Sequence, residues 1–262
     1  MDNPTTDTKP AFRQRLLQGE PLIGTFVKTP SPIVCEILGL TPLDTICIDA
    51  EHAPFGRLEL DGCLLALRAA QMPALVRVPS AAPAELANAL DCGATGVVVP
   101  HVCSAAEAQA LAQAARYGRG GRGYAGSPRA AGYTTKSMAA HKADSAAQTT
   151  VIAQIEDIEA VDAIDEIAAV AGIDCLFVGR IDLTVALGAD SPNDPAVIAA
   201  VEKVCAAGRA AGRPVGMFVP NVEEAAHWRK QGASLFLLSS DHIFMLRGAG
   251  DLAASFRGSE AR

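Results

Sequence analysis

Three ionisable residues, Asp49, Glu51 and His52, follow a short apolar segment at 45–48. A carboxylate beside a histidine can orient the imidazole and tune its proton affinity, so this cluster could act as a general acid and base. The alternative is structural, with Asp49 as a helix cap and the other two residues as a solvated pair. The chemical interpretation is favoured because other apolar segments end in the same way.

Polar residues with related chemistry lie at the ends of three further apolar segments. Arg77 lies in LVRVP, Gln154 and Glu156 lie in IAQIED, and Asp182 lies in FVGRIDL. Hard divalent cations prefer carboxylate oxygens, so Glu156 and Asp182 together could hold such a cation and leave positions for water and substrate. Taken singly, each has a structural explanation, Asp182 as a helix cap and Glu156 as a surface residue.

The elements that must position these residues are predicted from the alternation of short apolar and longer amphipathic segments. The predicted strands are 22–27, 45–48, 74–78, 96–99, 151–155, 175–178, 214–219 and 235–238. Eight βα units in 262 residues predict a single-domain (β/α)8 TIM barrel, in which the strand ends meet at one rim. An open doubly wound sheet is less favoured because no Gly-x-Gly-x-x-Gly turn follows the first strand.

Helices are predicted between the strands and at both ends of the chain. They cover 12–18, 31–38, 58–70, 83–90, 105–116, 158–170, 195–211, 223–231 and 242–256. Residues 1–20 form the N-terminal tail and helix. The Gly-, Ser-, Ala- and Arg-rich segment 117–148 interrupts the alternation, and we expect a long active-site loop with some helix, lying over the site.

Composition limits the possible partners and the cellular location. The net charge of -7 without a block of lysine and arginine argues against nucleic acid as a partner. No apolar segment reaches the roughly 18 residues of a membrane span, and the N-terminal residues lack an apolar signal core. Seven cysteines without a Cys-x-x-Cys pair are typical of reduced thiols, so we expect a cytoplasmic protein.

A family resemblance rests on several of these motifs together. The segments IDAEHAPF, LVRVP, GATGVVVPHV, RYGRGGRGYAGSPRA, QIE and FVGRIDL occur in this order between residues 24 and 256. The sequence closely resembles the HpcH/HpaI aldolase family of metal-dependent pyruvate aldolases. The resemblance covers nearly the whole chain.

This resemblance implies roles for the residues at the strand ends. Glu156 and Asp182 match the family's ligands for a divalent cation, which would be Mg²⁺, Mn²⁺ or Co²⁺. Asp49 and His52 match residues implicated in proton transfer, with the imidazole oriented by Asp49. Arg77 matches the arginine near the keto or aldol oxygen. The substrate-binding residues implied in addition to Arg77 and Asp182 are Gln154, Gly179, Arg180 and Ile181.

The resemblance also implies partners. The substrates would be a 2-keto acid and an aldehyde, and the chain would form a homo-oligomer through its C-terminal helix, as a hexamer or trimer of dimers. Membranes and nucleic acids are not expected partners.

Some cationic residues depart from the common family pattern. Arg180 could bind a second substrate carboxylate or pair with a neighbouring acid. Lys28 is interpreted as a loop lysine at the pocket mouth, and His101 either enlarges a polyanion-binding pocket or is a hydrogen-bonded structural residue. Arg122 and Arg129 in segment 117–148 either contact the acidic tail of the substrate or are solvated.

Three functions follow from these alternatives. The first is a class II aldolase that cleaves or forms 4-hydroxy-2-keto acids through an enolate of pyruvate. The second is a citrate-synthase-like or citryl/malyl-CoA lyase-like enzyme that uses oxaloacetate or an acyl-CoA on the same barrel. The third is a catalytically silent barrel retained as an oligomeric binding protein, which the intact set of candidate residues argues against.

Overall fold

A computed structural model of the chain describes residues 11–259. Within this range, eight parallel strands form a closed barrel in chain order, and β8 pairs with β1. The strands are β1 Leu22–Val27, β2 Thr45–Asp49, β3 Ala74–Arg77, β4 Gly96–Val99, β5 Thr150–Ile155, β6 Cys175–Val178, β7 Val215–Val219 and β8 Ala233–Ser240. The predicted (β/α)8 barrel is therefore confirmed.

Most of the helices surround the barrel on the outside. The helices are α1 Phe12–Leu17, α2 Pro32–Gly39, α3 Arg57–Ala69, α4 Pro83–Asp91, α5 Ala105–Ala114, α6 Met138–Gln148, α7 Ile158–Asp162, α8 Ile164–Ala168, α9 Arg180–Ala186, α10 Pro195–Ala211, α11 Val222–Lys230 and α12 Asp241–Ser259, with a 3₁₀ turn at Arg129–Ala131. The helices differ from the prediction at two places. The helix expected at 158–170 is broken at Ala163, and α9 was not predicted.

The barrel strands are largely apolar because both of their faces are buried. Alternate residues of a strand point to opposite faces, so Ile46 and Ile48 pack against helices whereas Cys47 joins the barrel interior. The interior is filled by the side chains of Leu22, Phe26, Cys47, Leu75, Val98, Ile152, Cys175, Phe177, Leu235 and Leu237. The barrel is therefore a packed core, and polar side chains can gather only at its ends.

Helix α1 closes the amino-terminal end of the barrel. Phe12 and Leu16 are four positions apart, so they share one helix face, and both are buried with the interior side chains. Arg13 donates to the buried carboxylate of Asp174 at 2.7 Å, and Asp174 also accepts the backbone N–H of Val151 at 2.9 Å. These contacts fix the predicted N-terminal helix, while the tail at residues 1–10 lies outside the described part of the chain.

Segment 117–148 connects α5 to β5 and lies on the amino-terminal face of the barrel. Arg122 pairs with Asp91 at the end of α4. Arg129 pairs with Asp61 at 2.8 Å and donates to the backbone carbonyl of Cys92 at 3.4 Å. The prediction that this segment lies over the strand-end site is wrong for a single chain, because an α-to-β connection returns to the amino-terminal ends of the strands. Both arginines are buried ion-pair residues on the opposite face.

The C-terminal helix α12 extends away from its own barrel. Its first residue, Asp241, is buried and accepts the backbone N–H groups of Lys28 and Thr29, both at 2.9 Å. After Asp241 the helix exposes the large apolar side chains of Ile243, Phe244, Met245, Leu246, Leu252 and Phe256. Among the described residues, no helix is both long and apolar enough to cross a membrane.

We predict that Asp174→Asn lowers the free energy of unfolding by about 2 kcal/mol, because the buried carboxylate holds Arg13, Arg116 and a strand N–H together. Urea unfolding at one protein concentration measures the change. The matched control is Asp144→Asn, whose carboxylate is 43% exposed in its pair with Lys136, and we expect a change below about 0.5 kcal/mol. Equal effects of the two substitutions would contradict this account.

Candidate active site

The alternation of the strands places polar side chains at the carboxyl-terminal end of the barrel interior. Lys28 follows the inward-facing Phe26 by two residues, Asp49 follows Cys47, and Arg77 follows Leu75. A two-residue step keeps a side chain on the same face of a strand. By the same rule, Gln154 and Glu156 follow Ile152 on β5, and Gly179 follows Phe177 on β6. Lys28, Asp49, Arg77, Gln154 and Glu156 thus form a polar layer directly above the apolar interior.

Asp49 is the centre of an ion-pair cluster in this layer. Strand register sets Asp49 directly opposite Arg77, whose Nε and Nη2 donate to the two carboxylate oxygens at 3.0 and 2.9 Å. Lys28 Nζ donates to Oδ2 at 2.5 Å. Burial alone would raise the pKa of Asp49, but the bonds and charges of Arg77 and Lys28 outweigh it and lower the pKa to about 2. Asp49 is therefore a carboxylate at every physiological pH.

The predicted contact between Asp49 and the imidazole of His52 is not formed within the described residues. Asp49 Oδ1 accepts the backbone N–H of His52 at 3.1 Å instead. The side chain of His52 is 55% exposed, and its Nε2 lies 3.7 Å from Glu51 Oε2. The prediction failed because both carboxylate oxygens of Asp49 point towards Arg77 and Lys28 in the barrel interior. The carboxylate beside the imidazole is that of Glu51.

Glu156 is buried, and its two carboxylate oxygens have different donors. Oε1 accepts the backbone N–H of His101 at 3.0 Å, and Oε2 accepts Gln154 Nε2 at 2.5 Å. Burial raises the pKa of Glu156, and the negative charge of Asp182 adds to the rise. A methyl group on Gly179 would lie 2.5 Å from Glu156 Oε2. Only glycine leaves room for this carboxylate against β6.

The structure contains a candidate metal site in this layer. Among the described residues, one ligand atom each from Glu51, His101 and Glu156 lies within 4.8 Å of the other two. Asp182 is not a member of this group, although its charge acts on Glu156 from the first turn of α9. The donor set suits a divalent cation because oxygen and imidazole ligands converge. A cation there would also relieve the repulsion between the acids.

Arg180 does not face this layer. Its buried guanidinium pairs with Glu224 on α11 and lies 5.9 Å from the ring of Trp228. Burial lowers the pKa of Arg180. Of the two interpretations left open by the sequence, the pairing with a neighbouring acid is the one the structure supports. The next residue, Ile181, is exposed on α9.

His101 belongs to the site, although the sequence offered only a structural or polyanion-binding role for it. Its Nδ1 lies 3.0 Å from Asp157 Oδ2 and 3.5 Å from Glu156 Oε1. The hydrogen bond to Asp157 and the charge of Glu156 raise the pKa of His101. Its position at the end of β4 was the available signal, because the neighbouring strands also end in site residues. Glu51 was likewise visible in the sequence but was not predicted as a metal ligand.

The sequence and the fold of the chain are similar to those of known proteins. The HpcH/HpaI aldolase/citrate lyase family matches residues 22–247. A hydroxypyruvate/pyruvate aldolase of Paraburkholderia phytofirmans is 34% identical over 252 residues, covering 93% of this chain and 95% of that protein. The crystal structure of a Burkholderia cenocepacia HpcH/HpaI aldolase/citrate lyase family protein has a TM-score of 0.88 at 34% identity, covering 94% of this chain and 98% of its own. For the citrate synthase SbnG, the TM-score is 0.86 at 27% identity, covering 96% of this chain and 99% of its own.

These similarities extend over the whole barrel and are not confined to the rim motifs. They agree with the closed eight-stranded topology and with the resemblance found in the sequence. The chain belongs to the HpcH/HpaI aldolase/citrate lyase family and is, as predicted, an enzyme of the carbon–carbon lyase class.

Proposed function

We propose that the protein is a metal-dependent class II aldolase that cleaves or forms 4-hydroxy-2-keto acids through an enolate of pyruvate or a close analogue. The observation that carries the proposal is the polar layer above the barrel interior, where a fixed guanidinium lies beside carboxylates that could hold a cation. The similarity to a hydroxypyruvate/pyruvate aldolase supports the substrate class.

Glu156 and Asp182 would hold the divalent cation, which would be Mg²⁺, Mn²⁺ or Co²⁺. Such a cation supplies Lewis acidity that stabilises the negative charge of an enolate. Gln154 holds one oxygen of Glu156 in place at 2.5 Å, and Gly179 gives the carboxylate its space. Both residues therefore act on the metal site through Glu156.

Arg77 offers a fixed positive charge to the substrate oxygen. The Nε and Nη2 groups of Arg77 donate hydrogen bonds to Asp49. Within residues 11–259, Nη1 therefore remains available to donate to a keto or aldol oxygen. The guanidinium also lies 4.9 Å over the ring of Phe26, which restricts its tilt. Because the donor is positioned before the reaction, no reorganisation is required when charge develops on the oxygen.

His52 is the candidate proton carrier. Its imidazole is exposed at the rim, beside Glu51. From this position the ring can accept the proton of the 4-hydroxyl group during cleavage and return a proton to the enolate carbon afterwards. Glu51, and not Asp49, is the carboxylate placed to stabilise the protonated ring.

The second candidate is a synthase or lyase that uses oxaloacetate or an acyl-CoA. The similarity to the citrate synthase SbnG favours it. Arg180 gives it no support, because this residue pairs with Glu224. Lys28 is the additional cation at the rim, with 29% of its side chain exposed.

We also propose that the enzyme is a cytoplasmic homo-oligomer, a hexamer or trimer of dimers, assembled through α12. The exposed apolar side chains of this helix support the assembly. The seven free cysteines support a reducing compartment.

Exchange of the pyruvate methyl protons in D₂O, followed by NMR, tests the proposed reaction. With chelator-treated protein we expect exchange only after Mg²⁺ or Mn²⁺ is added, and Arg77→Ala should slow it about 100-fold or more. The control Arg119→Ala alters an exposed arginine of segment 117–148 and should leave the rate unchanged. Metal-independent exchange would refute the proposal, and activity restricted to oxaloacetate with an acyl-CoA would establish the second candidate.

Gly179→Ala tests the packing of the metal-binding carboxylate. The added methyl group would lie 2.5 Å from Oε2 and 2.7 Å from Cβ of Glu156, so the side chain must move. We expect Mn²⁺ affinity, measured by calorimetry, to fall about tenfold or more, as when groups supporting a metal ligand are altered. Gly123→Ala is the control, since nothing lies within 4 Å of its added methyl group. Unchanged affinity in Gly179→Ala would show that Glu156 does not bind the cation.

Leu246→Asp tests assembly through α12, because this side chain is 75% exposed on that helix. A charge buried in an apolar interface opposes association, so light scattering should show a smaller assembly than for the unmodified protein. Val222→Asp on α11, at a side chain with 67% exposure, serves as the control and should preserve the size. A monomeric unmodified protein would refute the proposed oligomer.

A further inference from the structure

His101 has a positive backbone φ angle. It follows β4 and adopts a φ of 54°, in the left-handed region that is uncommon for residues other than glycine. The conformation directs its N–H to Glu156 Oε1, 3.0 Å away. Strained backbone of this kind persists where the surrounding contacts require it, often at functional sites.

The imidazole of His101 lies among three carboxylates. Its Nδ1 is 3.0 Å from Asp157 Oδ2 and 3.5 Å from Glu156 Oε1, and a ring nitrogen lies within 4.8 Å of an oxygen of Glu51. Neighbouring ligands of one divalent cation, each about 2.1 Å from it, are separated by about 3.0 to 3.5 Å. The 3.5 Å between His101 Nδ1 and Glu156 Oε1 lies within this range. The limit of 4.8 Å for the whole group lies above it, so the ligands would move closer together around a bound cation.

Within the described residues, one oxygen of Glu51 has an ion-pair contact but no hydrogen bond. Its side chain is nine-tenths buried, and Oε2 is buried without a hydrogen bond in the described part of the chain. The Nε group of Arg77 lies 3.2 Å from it but donates to Asp49. A buried carboxylate oxygen without a donor is costly. A cation shared with Glu156 and His101 would satisfy this oxygen.

We infer that His101 is a direct nitrogen ligand of the divalent cation, on a face of the metal centre completed by Glu51 and Glu156. The inference rests on the proposed metal-dependent function and adds ligands to it, with Asp182 as a further oxygen ligand. Asp157 is a positioning residue, because its carboxylate lies 3.0 Å from Nδ1 and orients the ring beside Glu156.

A nitrogen ligand changes the metal preference of the site. Imidazole binds later first-row cations such as Co²⁺ well, whereas Mg²⁺ prefers oxygen ligands. His101→Asn should therefore lower Co²⁺ affinity at least about tenfold and Mg²⁺ affinity less than about threefold. Asparagine is suitable because it tolerates positive φ and keeps the backbone N–H that binds Glu156.

Electron spin-echo envelope modulation of the Mn²⁺-loaded full-length protein tests the ligand directly. The unmodified protein should show ¹⁴N modulation from a coordinated imidazole, and His101→Asn should bind Mn²⁺ without it. His52→Ala is the matched control and should keep the modulation, since that ring is exposed and lies beside Glu51. His101→Gly, which also accommodates positive φ, provides a second variant if His101→Asn misfolds.

The outcomes separate this inference from the proposed function. Bound Mn²⁺ with no ¹⁴N modulation in the unmodified protein overturns the ligand assignment and leaves the metal-dependent aldolase intact. Modulation that survives in His101→Asn and is lost in His52→Ala assigns the nitrogen to His52 and likewise overturns the inference. Failure of the unmodified protein to bind any divalent cation overturns both proposals.

Discussion

The carboxylate of Asp49 is fully buried, and it is stable there because two cations reach it from neighbouring strands. Without Arg77 and Lys28, a charge at this depth would cost several kcal/mol. With them, three charged side chains form one rigid unit that covers the apolar interior. The geometry of the guanidinium, and hence its use towards a substrate oxygen, depends on this unit.

The same two-residue periodicity that fills the barrel also produces the polar layer. Two residues further along a strand, the next inward-facing position is Asp49 after Cys47, Arg77 after Leu75 and Gly179 after Phe177. The small residue at the last position is as important as the charged ones, because it gives Glu156 its space. The inward-facing positions of the strands therefore supply both the apolar core and the residues of the site.

This pattern explains what could be predicted from the sequence. The strands and their polar ends were visible because apolar segments stop abruptly at Asp49, Arg77 and Glu156. The partner of Arg180 could not be predicted, since Glu224 lies on a helix more than forty residues later and only the closed barrel brings the two residues together. The bond between Asp49 and the His52 ring was predicted wrongly because adjacency in sequence does not determine which way a carboxylate points.

The location of segment 117–148 was missed for a topological reason. Its glycines and arginines suggested a flexible substrate loop, but its place between α5 and β5 determines the face on which it lies. Arg122 and Arg129 are instead buried against Asp91 and Asp61. Residue composition indicated an irregular segment, while the order of elements decided its position.

The contact of Asp241 with the backbone of Lys28 and Thr29 joins the first turn of the C-terminal helix to the end of β1. The side chain of Lys28 in turn holds Asp49. A shift of α12 would therefore be transmitted through Asp241 and Lys28 to the buried carboxylate of Asp49. Asp241 therefore contributes both to the start of the helix and to the position of Lys28 in the pocket.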